Sequence, residues 1–495
     1  MENDATTGQK SDFERIFHPR RVAIVGVSAQ GMGFGRGILD SLLAIGFEGE
    51  IFPVNPKGGE VFGLKIYPRI EDIPGEIDFA ILAVAAPLVP EALAACRRKG
   101  AAGAEILSAG FKEMATPEGL ALEEAIQAEA RQGIRVVGPN CFGIYCPRSG
   151  LTLLPGPDLS RKSGPVAFLS QSGGMAIDLA FAGMGMGFGF SKMISFGNGA
   201  DLRETELLDY LADDPDTGII ALYMEGVTDG TPFLRALKNA ASRKPVIVYK
   251  GGLSEAGSRA VASHTASMGG SRILWESAIR QAGAVQVQNF EDLCHACIAF
   301  SHLPVRVYQG MTVLGGGGAL GVAACDAAEA NGLYLPRLEG AIFDAVNGAL
   351  PKPGSSAANP IDVANPFVPP EALKTVLLEA GKDERVHIQI QVTLLYHFKA
   401  MAKRLGLSSL RDAAPLKAFA EGAKTAFETT DKPVVLVLPD CRQALDDLDV
   451  ADLMRLARQT FLESGIPVFP TLHGALRAIS QVSDYAKRRG SGPFS

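Results

Sequence analysis

The 495-residue sequence lacks a basic excess: 47 Lys and Arg stand against 54 Asp and Glu, a formal net charge of −7. No long run of Lys and Arg occurs. Nucleic acid is thereby excluded as the main partner, although local basic groups remain available to hold a phosphorylated small molecule. A membrane-length apolar run is also missing, since stretches such as "FAILAVAAPLVP" (79–90) fall short of a span. The amino end, "MENDATTGQKSDFERIFHPRR", carries no apolar signal core, so a cytoplasmic protein is expected. The seven cysteines are odd in number and scattered, which fits free thiols in a reducing compartment rather than a disulfide framework. Cys294 and Cys297 form a CxxC, but within "FEDLCHACIAF", which reads as a helix. With no second ligand pair in view, no metal site is expected.

What the sequence does have is core-forming material. Hydrophobic residues make up 47% and charged residues 20%, enough for about three domains of roughly 150 residues each. Apolar runs alternate with helical patterns, the signature of α/β architecture with parallel sheets. Two seams, "PRSGLTLLPGPDLSRKSG" (147–164) and "HLPVRVYQG" (302–310), divide the chain into 1–150, 151–305 and 306–495.

Each segment opens with a strand, a turn of small residues and a helix: "VAIVGVSAQGMGFG" (22–35), "VAFLSQSGGMA" (166–176) and "MTVLGGGGALG" (311–321). Such turns let backbone N–H groups and a helix amino end approach an anion. One alone can be purely structural; three together point to anions being handled. The first segment reads as Rossmann-like with an imperfect fingerprint, because Gly26, Ser28 and Gly31 give G-x-S-x-x-G. An NAD site usually places an acid at the end of the second strand. Here Asn55, Pro56 and Lys57 stand there. A lysine suits a ligand with an extra phosphate, either NADP or the phosphoadenosine of coenzyme A; the alternative is a solvated turn residue.

The second segment reads as a doubly wound sheet of "PVAFLS", "FSKMISFG", "GIIALYME" and "PVIVYKGG". Ligands bind beyond the carboxyl ends of such strands. "SQSGG" (170–174), "GNGAD" (197–201), Glu225 with Gly226, and a loop carrying His264 are thereby expected on one edge. His264 sits in "SRAVASHTASMGGS" (258–271), with no cysteine or other histidine within 29 positions and no nucleophile elbow anywhere. Metal ligation would therefore draw on distant ligands, and serine-hydrolase chemistry has no support. A neutral imidazole is a good nucleophile near neutral pH, and a carboxylate such as Glu225 can hold one ring nitrogen protonated and aim the other. A phosphoryl group on the histidine would be stabilised by helix amino ends at Gly173–Gly174 and within Gly315–Gly318. The plainer reading is a surface histidine and a core-edge glutamate.

In their order, "PRRVAIVGVS", "NPK" (55–57), "GPNCFGI" (138–144), "SQSGG", "GNGAD", "YMEG", "SHTASMGGS" and "NPID" (359–362) resemble the signatures of the α subunit of NDP-forming acyl-CoA synthetases. These are also called ADP-forming acetate–CoA ligases and are relatives of succinyl-CoA synthetase. The resemblance covers about residues 12–485. It implies a coenzyme A-binding domain followed by two flavodoxin-like ligase domains. It implies that His264 becomes phosphorylated and that Glu225 is its partner. Coenzyme A would be held by Gly26–Gly31 (with Ser28, Ala29 and Gln30), Lys57, Val84, Ala85 and Pro87 of "VAAP", Ser108, Ala109, Gly110 and Phe111 of "SAGF", and Asn140. Phosphate would meet Ser172, Gly173, Gly174, Gly316, Gly317 and Gly318. The implied reaction turns acyl-CoA, ADP and phosphate into acid, coenzyme A and ATP through an acyl phosphate and a phosphohistidine.

The sequence departs from the family in three respects. The usual "SHTGA" reads "SHTAS", so Ala266 replaces a glycine; the usual "GNK" reads "GNG" at 197–199. Both bear on loop motion or acid preference. The third is the missing ATP-grasp module. An ATP-grasp β subunit, bringing Mg2+ and ADP or ATP, is therefore the expected partner, in a hetero-oligomer or with a homodimer of the chain alone. Two other readings compete: a coenzyme A- or acyl-CoA-binding protein whose ligase activity has lapsed, opposed by the intact His264 and Glu225, and an NADP-dependent oxidoreductase, opposed by the broken fingerprint. Neither the acid nor the choice between ADP and GDP is encoded in a recognisable way.

Overall fold

A computed structural model describes residues 12–31, 33–153, 158–265 and 271–490, with the side chains of 262–265 outside that description. The chain folds as two compact units. One holds the residues up to Met184 together with Phe188–Gln288; the other holds Gly185–Gly187 and the residues from Asn289 onward.

The first unit contains two sheets. In the first, β1 (Arg21–Val25), β2 (Glu50–Val54), β5 (Phe79–Leu82), β6 (Gly103–Ile106) and β7 (Arg135–Val137) run parallel in the order β2-β1-β5-β6-β7. A small hairpin, β3 (Gly59–Val61) and β4 (Leu64–Ile66), follows β2. Every residue of β5, "FAIL", is buried, as expected of a strand covered on both faces. The helix Phe34–Ile45 buries Ile38, Leu39, Leu42 and Ile45 at helical spacing and ends at Gly46, whose left-handed backbone closes its last turn. The sheet order reverses between β1 and β5, which makes their carboxyl ends a switch-point crevice.

The second sheet runs β13-β12-β11-β9-β10-β8. Its parallel strands are β9 (Ser163–Ser170), β10 (Phe190–Ser195), β11 (Ile219–Met224), β12 (Val246–Lys250) and β13 (Val285–Val287). β8 (Gly143–Tyr145) arrives from the first segment and pairs antiparallel to β10. One continuous core joins both sheets, from Phe13, Phe17 and Ile24 to Leu169, Ile194 and Leu222.

The second unit holds β14 (Met311–Gly315), β15 (Ile388–Val392), β16 (Val434–Val437) and β17 (Val468–Phe469), all parallel and in sequence order. Beyond β14, Ile361 forms a further parallel bridge to Leu314. "NPID" thus occupies the place of a second strand, and all three sheets share one winding order. The helix Phe290–His302, capped by Asn289 Oδ1 on the Asp292 N–H at 2.8 Å, packs with this compact unit, which takes in the chain from Asn289 onward.

Candidate functional site

The first glycine turn is shaped by contact as much as by sequence. Gly26 has φ +101°, and a Cβ there would strike the Ala83 carbonyl, so β1 and β5 approach at the switch point only because residue 26 is glycine. Beyond it, the Ser28 hydroxyl donates to the Gln30 carbonyl at 2.6 Å, and Arg36 Nη1 donates to the Ala29 carbonyl at 2.6 Å. Gly59 lies against Ala29, its Cβ position 3.6 Å from that methyl. The turn after β2, with exposed Lys57, is thereby brought beside the first turn. The Lys57 N–H donates to Asn55 Oδ1 at 3.0 Å.

Val84, Ala85, Ser108 and Ala109 line a cavity of about 410 Å³ at the carboxyl edge of this sheet, together with Phe34 and Phe142. The Ser108 hydroxyl donates to the Val84 carbonyl, and the Asn140 N–H to the Ser108 carbonyl at 2.9 Å. Pro87 is exposed beside this group, without lining the cavity. Gly110 and Phe111 differ from their neighbours. Both N–H groups donate to Glu113 Oε1, at 2.6 and 3.1 Å, and the Phe111 ring is wholly buried in the core. These two residues shape the loop from behind and offer a ligand no open amide.

In the second sheet, Ser172 caps the helix Gly173–Met186: its hydroxyl accepts from the Met175 N–H at 3.3 Å. Gly173 and Gly174 form the helix amino end beside Phe142, since a Cβ on Gly173 would come within 2.6 Å of that ring. Glu225, at the end of β11, is buried, and Tyr223 Oη donates to its Oε1 at 3.2 Å. Gln171 clamps the same corner. Its side-chain oxygen accepts from the Glu225 N–H and from the Gly226 N–H at 3.1 Å, while its nitrogen donates to the Gly226 carbonyl at 2.9 Å. Lys250 Nζ, buried at the end of β12, donates to the Glu225 carbonyl at 2.8 Å and to that of Gly251, and lies 5.0 Å from the centre of the Trp275 ring. Burial lowers its pKa to about 8, against the opposing pull of Glu225. The carboxyl edge of β9, β11 and β12 therefore joins Ser172–Gly174, Glu225 and Lys250 in one place.

One expectation needs correcting. His264 is expected on a loop, yet the backbone of Glu255–Thr265 is helical and His264 falls in its last turn. Glu, Arg and several alanines between 255 and 262 favour helix. The His264 side chain and residues 266–270, including Ala266, lie outside the described residues. "GNGAD" follows β10 onto the same carboxyl edge as "SQSGG", since β10 runs parallel to β9, and is tied there to the first sheet. Asn198 Nδ2 donates to Glu113 at 2.5 Å and to Glu123 at 3.1 Å, and Asp201 accepts from Arg135 Nε at 2.9 Å and from the Val136 N–H at 2.8 Å.

The third turn lies in the second unit. Gly315, with φ +109°, admits the Val392 carbonyl; Gly316 and Gly317 follow, and Gly318 starts the helix Gly318–Ala330. Gly315–Gly317 line a cavity of about 290 Å³ with Asn365, Thr393 and His397. Among the described residues, no group of His, Cys, Asp and Glu is placed to hold a metal, and no helix is long and apolar enough to cross a membrane.

Gln171, Tyr223 and Lys250 were not singled out in the sequence. Lys250 left a trace there: a lysine closing an otherwise apolar strand, on the edge where ligands bind.

A CoA binding domain matches residues 20–147, and a succinyl-CoA ligase like flavodoxin domain matches residues 163–300. Acetate–CoA ligase (ADP-forming) I subunit alpha of Pyrococcus furiosus is 32% identical over 96% of this chain and 98% of its own length. Acetate–CoA ligase (ADP-forming) I of Archaeoglobus fulgidus is 37% identical over 77% of this chain, a match that spans 54% of that longer protein. Among solved structures, dinucleotide forming acetyl-coenzyme A synthetase 1 of Ca. Korarchaeum cryptofilum, in complex with phosphate and ADP, superposes with a TM-score of 0.80 at 31% identity, covering 97% of each chain.

Proposed function

This chain belongs to the family of ADP-forming acetate–CoA ligases as an α subunit, and from that premise we propose that it interconverts acyl-CoA, ADP and phosphate with a carboxylic acid, coenzyme A and ATP. Residues 1–150 bind coenzyme A, 151–305 carry the reactive histidine, and 306–495 complete the ligase portion. The nucleotide and its Mg2+ sit on an ATP-grasp partner subunit.

In the direction of ATP formation, a phosphate oxygen attacks the thioester carbonyl, the C–S bond breaks, and coenzyme A leaves as its thiolate. A ring nitrogen of His264 then attacks phosphorus of the acyl phosphate, and the carboxylate departs. The phosphohistidine passes its phosphoryl group to ADP on the partner. Glu225 holds the other ring nitrogen protonated. The helix amino end at Gly173–Gly174 stabilises the added negative charge, each such placement contributing about 0.3–2 kcal/mol. The Gly316–Gly318 turn is assigned the same kind of charge. Coenzyme A lies along Gly26–Gly31, Val84–Pro87 and Ser108–Ala109, near Asn140, with Lys57 on a phosphate.

The observation that supports this reading is that Phe142, which lines the cavity with Val84, Ala85, Ser108 and Ala109, packs against the helix amino end at Gly173. Reconstitution tests it. With acyl-CoA, ADP and phosphate, the chain alone should make no ATP, and adding an ATP-grasp subunit should start the cycle. ATP formation by the chain free of any partner would overturn the division of labour.

A further inference from the structure

Lys250 is 3% exposed at the end of β12, on the same edge as Glu225. Its contacts fall on three separate pieces of chain. Nζ donates to the Glu225 carbonyl at 2.8 Å, at the end of β11, and to the Gly251 carbonyl, where the chain leaves the sheet. It also lies over the Trp275 ring, 5.0 Å from its centre, in the helix Arg272–Ala282 by which the chain returns. His264 stands in the sequence between these last two contacts. The outgoing chain is tightly packed as well. A Cβ on Gly251 would come within 2.8 Å of Tyr223 Oη, the hydroxyl that donates to the Glu225 carboxylate. One on Gly252 would come within 2.7 Å of Val261, in the helix Glu255–Thr265. On the returning side, Trp275 is buried and tilted onto Phe233, ring centres 5.6 Å apart. An ammonium carries three donors. Two here go to carbonyls, and the cation is attracted to the indole face.

We propose that Lys250 is a positioning residue of the ligase reaction: its ammonium fastens both ends of the segment bearing His264 to the Glu225 corner, and His264 takes up a phosphoryl group efficiently only while that ammonium is in place. The proposal rests on the ligase reading. The same positive charge opposes the negative charges of Glu225 and of the incoming phosphoryl group. Deprotonation would leave a neutral amine with weaker hydrogen bonds to the two carbonyls and no attraction to the indole. Burial lowers the Lys250 pKa to about 8, with Glu225 opposing the shift, so the ammonium is lost as pH rises through that value. Tyr223 keeps its proton there, because burial holds its phenol well above the ordinary range. Tyr249 lies edge-on to Tyr223, ring centres 5.2 Å apart. On the two helices, Glu255 pairs with Arg259 at 3.0 Å and Arg272 with Glu276 at 2.8 Å, both pairs open to solvent.

Two measurements on the full chain test this. Trp275 is the only tryptophan in the sequence, so its fluorescence reports on the charge beside it. The wild type should show a transition in that signal centred near pH 8. Lys250→Met and Lys250→Arg should lack it, because methionine has no charge to lose and a guanidinium keeps its own. The second measurement is single-turnover labelling of His264 by acetyl-CoA and labelled inorganic phosphate, without a partner subunit. At neutral pH, Lys250→Met should label at least tenfold more slowly than the wild type, with coenzyme A affinity unchanged within about twofold. The wild-type rate should fall as pH rises through about 8, while the rates of Lys250→Met and Lys250→Arg stay level there. A merely structural lysine would lower the urea midpoint of Lys250→Met but leave the labelling rate and its alkaline fall as in the wild type. That result, or a Trp275 transition that survives in Lys250→Met, would overturn the proposal. Should Lys250→Met fail to fold, Lys250→Arg decides: an alkaline fall equal to that of the wild type would overturn the proposal, and a level rate would support it. Absence of label from the wild type would instead remove the ligase reading beneath it.

Discussion

Glu225 is held by its surroundings on several sides: Tyr223 donates to its carboxylate, and Gln171 and Lys250 fix its backbone. Glu225→Gln keeps the size and the backbone contacts while removing the charge. Turnover in the reconstituted enzyme is expected to fall on the order of 10²-fold, with coenzyme A affinity unchanged within about twofold. Unchanged turnover would remove Glu225 from the chemistry. Lys57 is a different kind of residue, an exposed side chain on a turn whose backbone is tied to Asn55. Lys57→Ala should weaken coenzyme A by ~1 kcal/mol, about fivefold, because solvent screens an exposed charge. Coenzyme A lacking the 3′-phosphate should lose less, as calorimetry on both ligands would show. The place of Glu225 was legible in the sequence, because it directly follows the apolar run "GIIALYM" that forms β11. Gln171 was not, because a polar residue after a strand is ordinary until its two amide partners are seen.

At the scale of elements, the two sheets of the first unit are joined by polar groups. Asp201 takes the Val136 N–H and both ends of the Arg135 guanidinium, the longer contact being 3.2 Å. Asp201→Asn should cost about 2 kcal/mol, read as a lower urea midpoint. Glu105 on β6 is fully buried and accepts the Ile144 N–H of β8 at 3.0 Å. Burial raises its pKa from 4.5 to about 8, and the Ile144 contact only partly opposes this. The folded chain thus keeps the proton between pH 4.5 and 8 while the unfolded chain releases it, so this group's contribution to stability falls as pH rises through that window. Glu105→Gln should flatten the fall, which is on the order of 2–4 kcal/mol. Equal slopes in the wild type and the variant between pH 5 and pH 8 would contradict this. None of these ties was readable beforehand. "GNGAD" follows a strand end and lies on the carboxyl edge that this rule assigns it, but spacing along the chain does not say which neighbour a turn will face. The helix over Glu255–Thr265 was missed for a related reason: small residues around His264 read as loop, while the same alanines suit a helix.

For the whole molecule, the repeated strand, glycine turn and helix made the α/β class legible, and three sheets with one winding order are the physical basis of that repetition. The sequence did not disclose that β8 crosses into the second sheet, or that Ile361 stands in for a strand beside β14. Single short segments with little periodicity carry both features. The central claim is that this architecture exists to charge His264 and pass the phosphoryl group to a partner. The direct measurement is to incubate the full chain with an ATP-grasp subunit, Mg2+ and ATP labelled in its γ-phosphate, then to follow protein-bound label through acid and alkali. An acid-labile, alkali-stable label that disappears in His264→Ala is the expected result. The same label persisting in His264→Ala would contradict the account.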